Sequence, residues 1–122
     1  MKLRCTTDSI RIRIRRSEME TFLLQGELSD RVGFPGGEVL VFALWIYQKA
    51  DFSLSFTGGN IRVGIPETEV RRWASPQQVG IEKYLALPNG QQVHLLIEKD
   101  FPCQHRADED KSDTFQDLAD RN

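Results

Sequence analysis

Basic side chains alternate with apolar ones in the first sixteen residues of the chain. Segment 9–15 carries an arginine at every second position, and segment 1–6 carries basic residues with the same spacing, so these side chains share one face of a predicted hairpin. Lys and Arg that neutralise phosphates dominate the affinity of proteins for nucleic acids. The residues of this candidate nucleic-acid surface are Lys2, Arg4, Arg11, Arg13, Arg15 and Arg16.

The competing interpretation of this surface is an ordinary solvated strand face. Residues 1–16 hold six basic side chains and one acidic one, whereas residues 100–122 hold seven acidic and three basic ones. We therefore expect segment 100–122 to lie back across the basic hairpin, where it would either complete the fold or cover a binding surface.

The C-terminal segment carries the other group of residues with chemical potential. A thiolate, an imidazole and carboxylates could together hold a metal ion. A Cys-x-His spacing without a second spaced pair is a weak zinc motif, however, so a solvated acidic tail is the main interpretation and no cofactor is expected. The metal candidates are Cys103, His105, Asp108 and Glu109.

Nucleophilic catalysis has little support in the sequence. Cys103 could be paired with His94 or His105 as nucleophile and base, but no pattern positions an oxyanion hole or a third orienting group. His94 also alternates out of phase with the apolar residues beside it, so it should face away from the core. The sequence favours a protein without enzymatic activity.

The secondary-structure elements that must position these residues occur in two tandem copies. The apolar pattern of repeat one, residues 1–48, recurs in repeat two, residues 52–99, at an offset of 51 that becomes 53 after a two-residue insertion. A unit of about 50 residues buries too little surface to be stable alone, so the two copies should share one core. The basic surface is not repeated as a whole, because the counterparts of Lys2, Arg4, Arg11, Arg13 and Arg15 are Ser53, Ser55, Arg62, Gly64 and Pro66.

Each repeat is predicted to fold as β-β-α-β-β. Asn89-Gly90 fits a tight type I′ turn, and the run Val39 to Tyr47, apolar on both faces, indicates a central strand. Cys5 is at a core-facing position of the first strand and is predicted to be a small buried residue. The predicted strands are 1–6, 9–15, 28–34 and 38–48 in the first copy and, for its last hairpin, 79–87 and 91–99 in the second.

A short helix follows the first hairpin of each repeat. Ser17 with Glu20 three residues later is a capping box, Thr68 is the matching cap in the second copy, and Gly26 is placed to end the first helix. The residues predicted to face the core are Met19, Phe22, Leu23, Val70, Trp73 and Ala74. The predicted fold is therefore α+β and mostly antiparallel, a single barrel-like domain over residues 1–99 with pseudo-twofold symmetry and two short helices, followed by the acidic tail 100–122.

Two resemblances accompany this pattern. Residues 61–73, a strand followed by Ile-Pro and a short helix, resemble the AbrB-like swapped-hairpin barrels, and the resemblance implies β-β-α-β-β units that interleave hairpins and bind DNA. The opening Met1-Lys2-Leu3-Arg4 and the Glu-Lys-Asp-Phe-x-Cys signature over residues 98–103 resemble a family of small bacterial proteins without an assigned activity.

Composition sets the remaining functional expectations. The chain is 39% hydrophobic and 28% charged, contains no apolar run long enough for a membrane span, and lacks a secretory signal pattern, so we expect a cytoplasmic protein. We expect a non-enzymatic binding or regulatory module, either a monomer with an internal pseudo-dimer or a weak homodimer, with a protein or nucleic acid as its partner. The alternatives are a nucleic-acid-binding regulator of the AbrB-like type and a metal or thiol site in the C-terminal segment.

Overall fold

The computed structural model describes residues 1–100, in which two β-β-α-β-β units follow one another as the sequence predicts. Strand formation follows the period-two alternation of apolar and polar residues. The elements are β1 (Lys2–Cys5), β2 (Ser9–Ile14), α1 (Arg16–Gln25), β3 (Glu27–Gly33), β4 (Val39–Tyr47), β5 (Ser53–Thr57), β6 (Asn60–Pro66), α2 (Glu67–Ala74), β7 (Gly80–Ala86) and β8 (Gln92–Lys99).

The strands form two four-stranded sheets, each with contributions from both repeats. The first sheet has the order β1-β2-β8-β7 and the second has the order β3-β4-β6-β5. Each sheet thus joins the first hairpin of one repeat to the second hairpin of the other. The hairpins are antiparallel, and the junctions β2–β8 and β4–β6 are parallel. The mostly antiparallel α+β fold of two matching sheets and two helices fits the predicted duplicated domain.

The register of the two junctions reproduces the sequence offsets. Ile12 pairs with Ile97 in the first sheet, and their counterparts Val63 and Leu44 pair in the second. The central position predicted for the strand Val39–Tyr47 is confirmed, because β4 lies between β3 and β6. The two halves are therefore related residue by residue, which explains why neither needs a core of its own.

The shared core is centred on one aromatic residue from each helix. Phe22 and its counterpart Trp73 are both fully buried and meet edge to face, with their ring centroids 6.4 Å apart. The Trp73 indole N–H donates to the Val79 carbonyl oxygen at 3.3 Å, so burial leaves no indole donor unpaired. Buried residues from both sheets surround this pair: Ile12, Ile14, Leu44, Val63, Ile65, Ile81, Leu95 and Ile97.

The hairpin turns lie together at the end of the molecule away from the helices. Each turn directly precedes a strand of a parallel pair, β2 and β8 in the first sheet and β4 and β6 in the second, and parallel strands start at the same end. Gly58 and Gly59 both have positive φ, as a type I′ turn requires. The type I′ prediction for Asn89-Gly90 is wrong, since only Gly90 has a positive φ, of 85°. Its N–H donates to the Leu87 carbonyl oxygen at 3.0 Å, which closes a longer turn with one left-handed residue.

Both helices begin earlier than the capping residues Ser17 and Thr68 predict. The N-cap of α1 is Arg15, whose backbone N–H donates to Glu18 Oε1 at 2.8 Å, and α2 begins directly after Pro66. No loop separates β2 from α1 or β6 from α2, so the last paired residue of each strand determines where the following helix begins. Neither helix in residues 1–100 has the length and apolar character that a membrane span requires.

Two burial predictions are also wrong. Leu23 is exposed because it lies at the margin of the buried face of α1, about 100° around the helix from Phe22, although it is on the same general side as Met19. Cys5 is exposed as well. It lies at the turn end of β1, an edge strand, and its counterpart Phe56 at the same place on β5 is 69% exposed. The core does not extend to these two strand ends.

Candidate anion-binding groove

The outer face of the first sheet collects most of the predicted basic residues. On the antiparallel pair β1–β2, Arg4 lies directly opposite Arg11, and Lys2 lies opposite Arg13. The parallel neighbour β8 places Glu98 beside Arg13 and Leu96 beside Arg11. Like charges directly opposite each other on a sheet are destabilising, so this surface needs anionic partners.

Carboxylates at the end of β8 neutralise much of this surface. Glu98 Oε1 lies 2.9 Å from Arg11 Nε and 3.8 Å from Arg13 Nε, and Lys2 Nζ lies 2.8 Å from an Asp100 carboxylate oxygen. The Asp100 backbone N–H also donates to the Ile14 carbonyl oxygen at 2.8 Å. Asp100 is the last described residue, so the predicted cover of the basic hairpin by segment 100–122 lies outside the described residues and stays a prediction.

Arg15 and Arg16 belong to a different part of the molecule. Arg15 caps α1, with its Nε 3.6 Å from Glu18 Oε1, and Arg16 is the first residue of the helix. Burial works to raise the pKa of Glu18, but hydrogen bonds from the N-terminal ammonium group and the Arg15 backbone N–H, with the charges of both residues, hold it below its ordinary value. The six-residue surface predicted from the sequence is therefore divided between a sheet face and a helix start.

Arg4 is the basic residue of this sheet face that lacks a carboxylate partner among residues 1–100. Its side chain is exposed and stands next to the like charge of Arg11. A guanidinium group offers five N–H donors and forms short, strong hydrogen bonds with anionic oxygens. Arg4 is consequently the group on this face best placed to bind an external anion.

An aromatic stack stands on the same face. The rings of Tyr84 and His94 are parallel within 3°, with their centroids 4.1 Å apart, because β7 and β8 pair these two residues directly. His94 Nε2 lies 2.6 Å from Glu82 Oε2, two residues before Tyr84 on β7. His94 faces away from the core, as the alternation predicts. Tyr84 and Glu82 were missed, although the alternation of residues 80–86 also places them outward.

The stack and the arginines are the walls of one groove of about 520 Å³. This volume is within the range of small-molecule sites. Leu96 supplies an apolar surface between the walls, and the Thr6 hydroxyl donates to Asp8 Oδ1 at 3.1 Å at the turn end. The lining residues are Arg4, Thr6, Asp8, Ser9, Arg11, Tyr84, Gln92, His94 and Leu96.

The matching face of the second sheet has a different character. Arg62, the counterpart of Arg11, lies over the Trp45 ring with its guanidinium carbon 5.4 Å from the ring centroid. Gly64 replaces the counterpart of Arg13, and Arg31 stands where the first sheet has Tyr84. The fold repeats, but the second sheet carries Ser55 and Arg31 at the positions of Arg4 and Tyr84, so the residues that line the groove are not repeated.

The C-terminal candidates cannot be placed in this geometry. Cys103, His105, Asp108 and Glu109 lie outside the described residues, so the predicted metal site and the pairing of Cys103 with a histidine stay predictions. Within residues 1–100, no three His, Cys, Asp or Glu side chains come close enough together to hold a metal ion. The groove offers charge-assisted hydrogen bonds and ring stacking, which are means of binding.

Comparison with known proteins gives one result. The model of a family described as "Family of unknown function (DUF7009)" matches residues 1–118. No curated protein and no solved structure matches the chain. The match agrees with the resemblance to a family without an assigned activity.

Proposed function

The chain belongs to the family of unknown function DUF7009, and we propose that it is a non-enzymatic binding module that holds an anionic ligand in the groove of its first sheet. The observation that carries this proposal is Arg4, an exposed guanidinium beside a second arginine with no carboxylate partner in the described residues. An anion bound between Arg4 and Arg11 would relieve the repulsion of the two like charges.

The ion pairs on this face favour a ligand with few charges over an extended polyanion. Glu98 occupies the space between Arg11 and Arg13, and Asp100 pairs with Lys2. A nucleic-acid backbone laid along the hairpin would have to displace these carboxylates, whereas a single phosphate or carboxylate group at Arg4 displaces none of them.

A regulator of the AbrB-like type that reads palindromic DNA has weaker support. Such a protein presents the same surface on both symmetric halves. The second sheet has Arg62 stacked on Trp45 and Gly64 where the first has two arginines. A ligand bound on one face suits this asymmetry better than a symmetric duplex does.

The proposal is tested with inorganic pyrophosphate as the probe in isothermal titration calorimetry. Removal of a charged hydrogen-bonding group from an anion site typically costs an order of magnitude or more in affinity, so Arg4→Gln should weaken binding about tenfold or more. Arg31→Gln is the matched control, because Arg31 is also an exposed strand arginine without an ion pair in the described part of the chain. Equal affinities of the two variants would reject Arg4 as the anion-binding residue.

The turn end of the molecule supports a second candidate function, a weak homodimer. Phe56, which is 69% exposed, lines an apolar cavity of about 560 Å³ there, together with residues of both repeats that include Ile10 and Ile61. Phe34, in the turn between β3 and β4, is 52% exposed. Large exposed apolar patches commonly mark interaction sites. Sedimentation equilibrium should show weak self-association that Phe56→Ser abolishes, and a strictly monomeric parent protein would exclude this interface.

A further inference from the structure

We infer that the groove selects a nucleotide whose base is unpaired, either free or within a single strand. This inference rests on the proposed anion-binding function and adds the chemical class of the ligand. It comes from the juxtaposition, in one groove, of a flat aromatic wall and a cationic wall in which Arg4 has no carboxylate partner among residues 1–100.

The aromatic wall is suited to stacking. Tyr84, on the edge strand β7, covers one face of the His94 ring, and the His94 side chain keeps 23% of its surface exposed and lines the groove. The His94 imidazole, which lies parallel to the Tyr84 phenol, is also hydrogen-bonded to Glu82, and this contact restrains its orientation. A planar base can extend such a stack, and stacking on aromatic side chains is the usual way in which proteins bind unpaired bases.

The distance between the two walls suits a nucleotide. Arg4 is on β1 and His94 is on β8, with β2 between them, so the strands that carry them are about 10 Å apart. The side chain of Arg4 is long enough to reach inward over Ser9 and Arg11. A base that stacks beside His94 therefore places its sugar and phosphate toward Arg4 and Arg11.

The end of the groove supplies hydrogen-bonding groups for the edge of a base. The Gln92 amide can both donate and accept, and the Asp8 carboxylate can accept from an exocyclic amine. In a duplex both faces of each internal base are stacked and the pairing edge is occupied, so these contacts require an unpaired base. A ligand that consists of phosphate alone would leave the aromatic wall unused.

The test uses the full chain and fluorescence anisotropy with four labelled probes of equal length. These are an adenine-containing single strand, the corresponding strand with abasic sites, the blunt duplex and a polyphosphate. The single strand should bind about tenfold or more tightly than the abasic strand, because each stacked base adds appreciably to affinity. Equal binding of the intact and abasic strands would overturn the inference and leave the anion site standing.

Variants separate stacking from charge. Tyr84→Leu and His94→Gln should each bring binding of the single strand toward the level of the abasic strand, and each should weaken strand binding by a larger factor than pyrophosphate binding. Tyr47→Leu is the control, since Tyr47 is a partly buried strand tyrosine whose ring contacts Trp45 on the other sheet. Failure of every probe, pyrophosphate included, would refute the proposed function itself.

Adenosine monophosphate then distinguishes the two sources of the ligand. If it binds as tightly as the single strand, a free nucleotide is the ligand, and if it binds more than tenfold more weakly, the ligand is a longer strand. Thermal unfolding of each variant checks that its fold is intact. A loss of strand binding in Tyr47→Leu equal to that in Tyr84→Leu, with both variants folded, would overturn the assignment of stacking to this groove.

Discussion

Salt should weaken the binding of a single-stranded oligonucleotide only slightly. The slope of log K against log salt concentration is about −0.7 for each phosphate that a protein neutralises on a single strand. Among the described residues, the ion pairs leave Arg4 as the free cation on the groove face, so one phosphate should be neutralised. An increase from 50 to 200 mM salt should then lower the affinity about threefold, from this slope.

The six-residue basic surface predicted from the sequence would give a much steeper slope of log K against log salt concentration. If all six side chains contacted phosphates, the slope would be about −4 and the same increase in salt would lower the affinity about 300-fold. Fluorescence anisotropy titrations at five salt concentrations separate the two cases. The control is Arg4→Gln, whose slope should approach zero.

Either of two results would contradict the expected salt dependence. A slope steeper than about −3 would mean that the strand displaces Glu98 and Asp100 from their arginine and lysine partners. An unchanged slope in Arg4→Gln would mean that the free charge of Arg4 is not the one that meets the phosphate.

Three further substitutions test the ion pairs of Glu98, the burial of Trp73 and the ion pairs of Glu18. Glu98→Gln removes the partner of two arginines, so the slope in the salt titration should become more negative by about 1.4, and an unchanged slope would show that Glu98 does not mask them. Trp73→Ala should lower the free energy of unfolding in urea by about 3–5 kcal/mol, well beyond the effect of Trp45→Ala, because Trp73 is fully buried and Trp45 is not. The folded-state pKa of Glu18 is depressed below its ordinary 4.5, so its contribution to stability is present above that value and lost as pH falls through the folded-state pKa. The parent protein should therefore lose more stability than Glu18→Gln between pH 7 and pH 3, as measured by urea midpoints, and equal losses would contradict this.

Period-two alternation and the duplication were sufficient to predict most of the fold. Alternation depends only on adjacent residues in the sequence, so it assigned His94 to the outer face without information about which strands lie beside β8. The repeat offset predicted that Phe22 and Trp73 are equivalent, and in the structure they meet at the centre of the core. The helix starts were wrong because the N-cap Arg15 follows directly from a strand whose end is held by pairing with a distant strand.

The site could be predicted only in part, since its residues are distant in sequence. The outward direction of Arg4 and Arg11 follows from the alternation alone. Their partners depend on the parallel pairing of β2 with β8, which joins residues about 85 positions apart.

The sequence by itself determined the strands, the two repeats and the face to which each strand residue points, because these depend on neighbours a few positions away. Only the tertiary structure decided that Glu98 masks two arginines, that Arg4 has no carboxylate partner within residues 1–100 and that Tyr84 stacks on His94. Which strands become neighbours is set by how the two repeats bury their apolar faces against each other, and that choice alone decides which charges and rings share a surface.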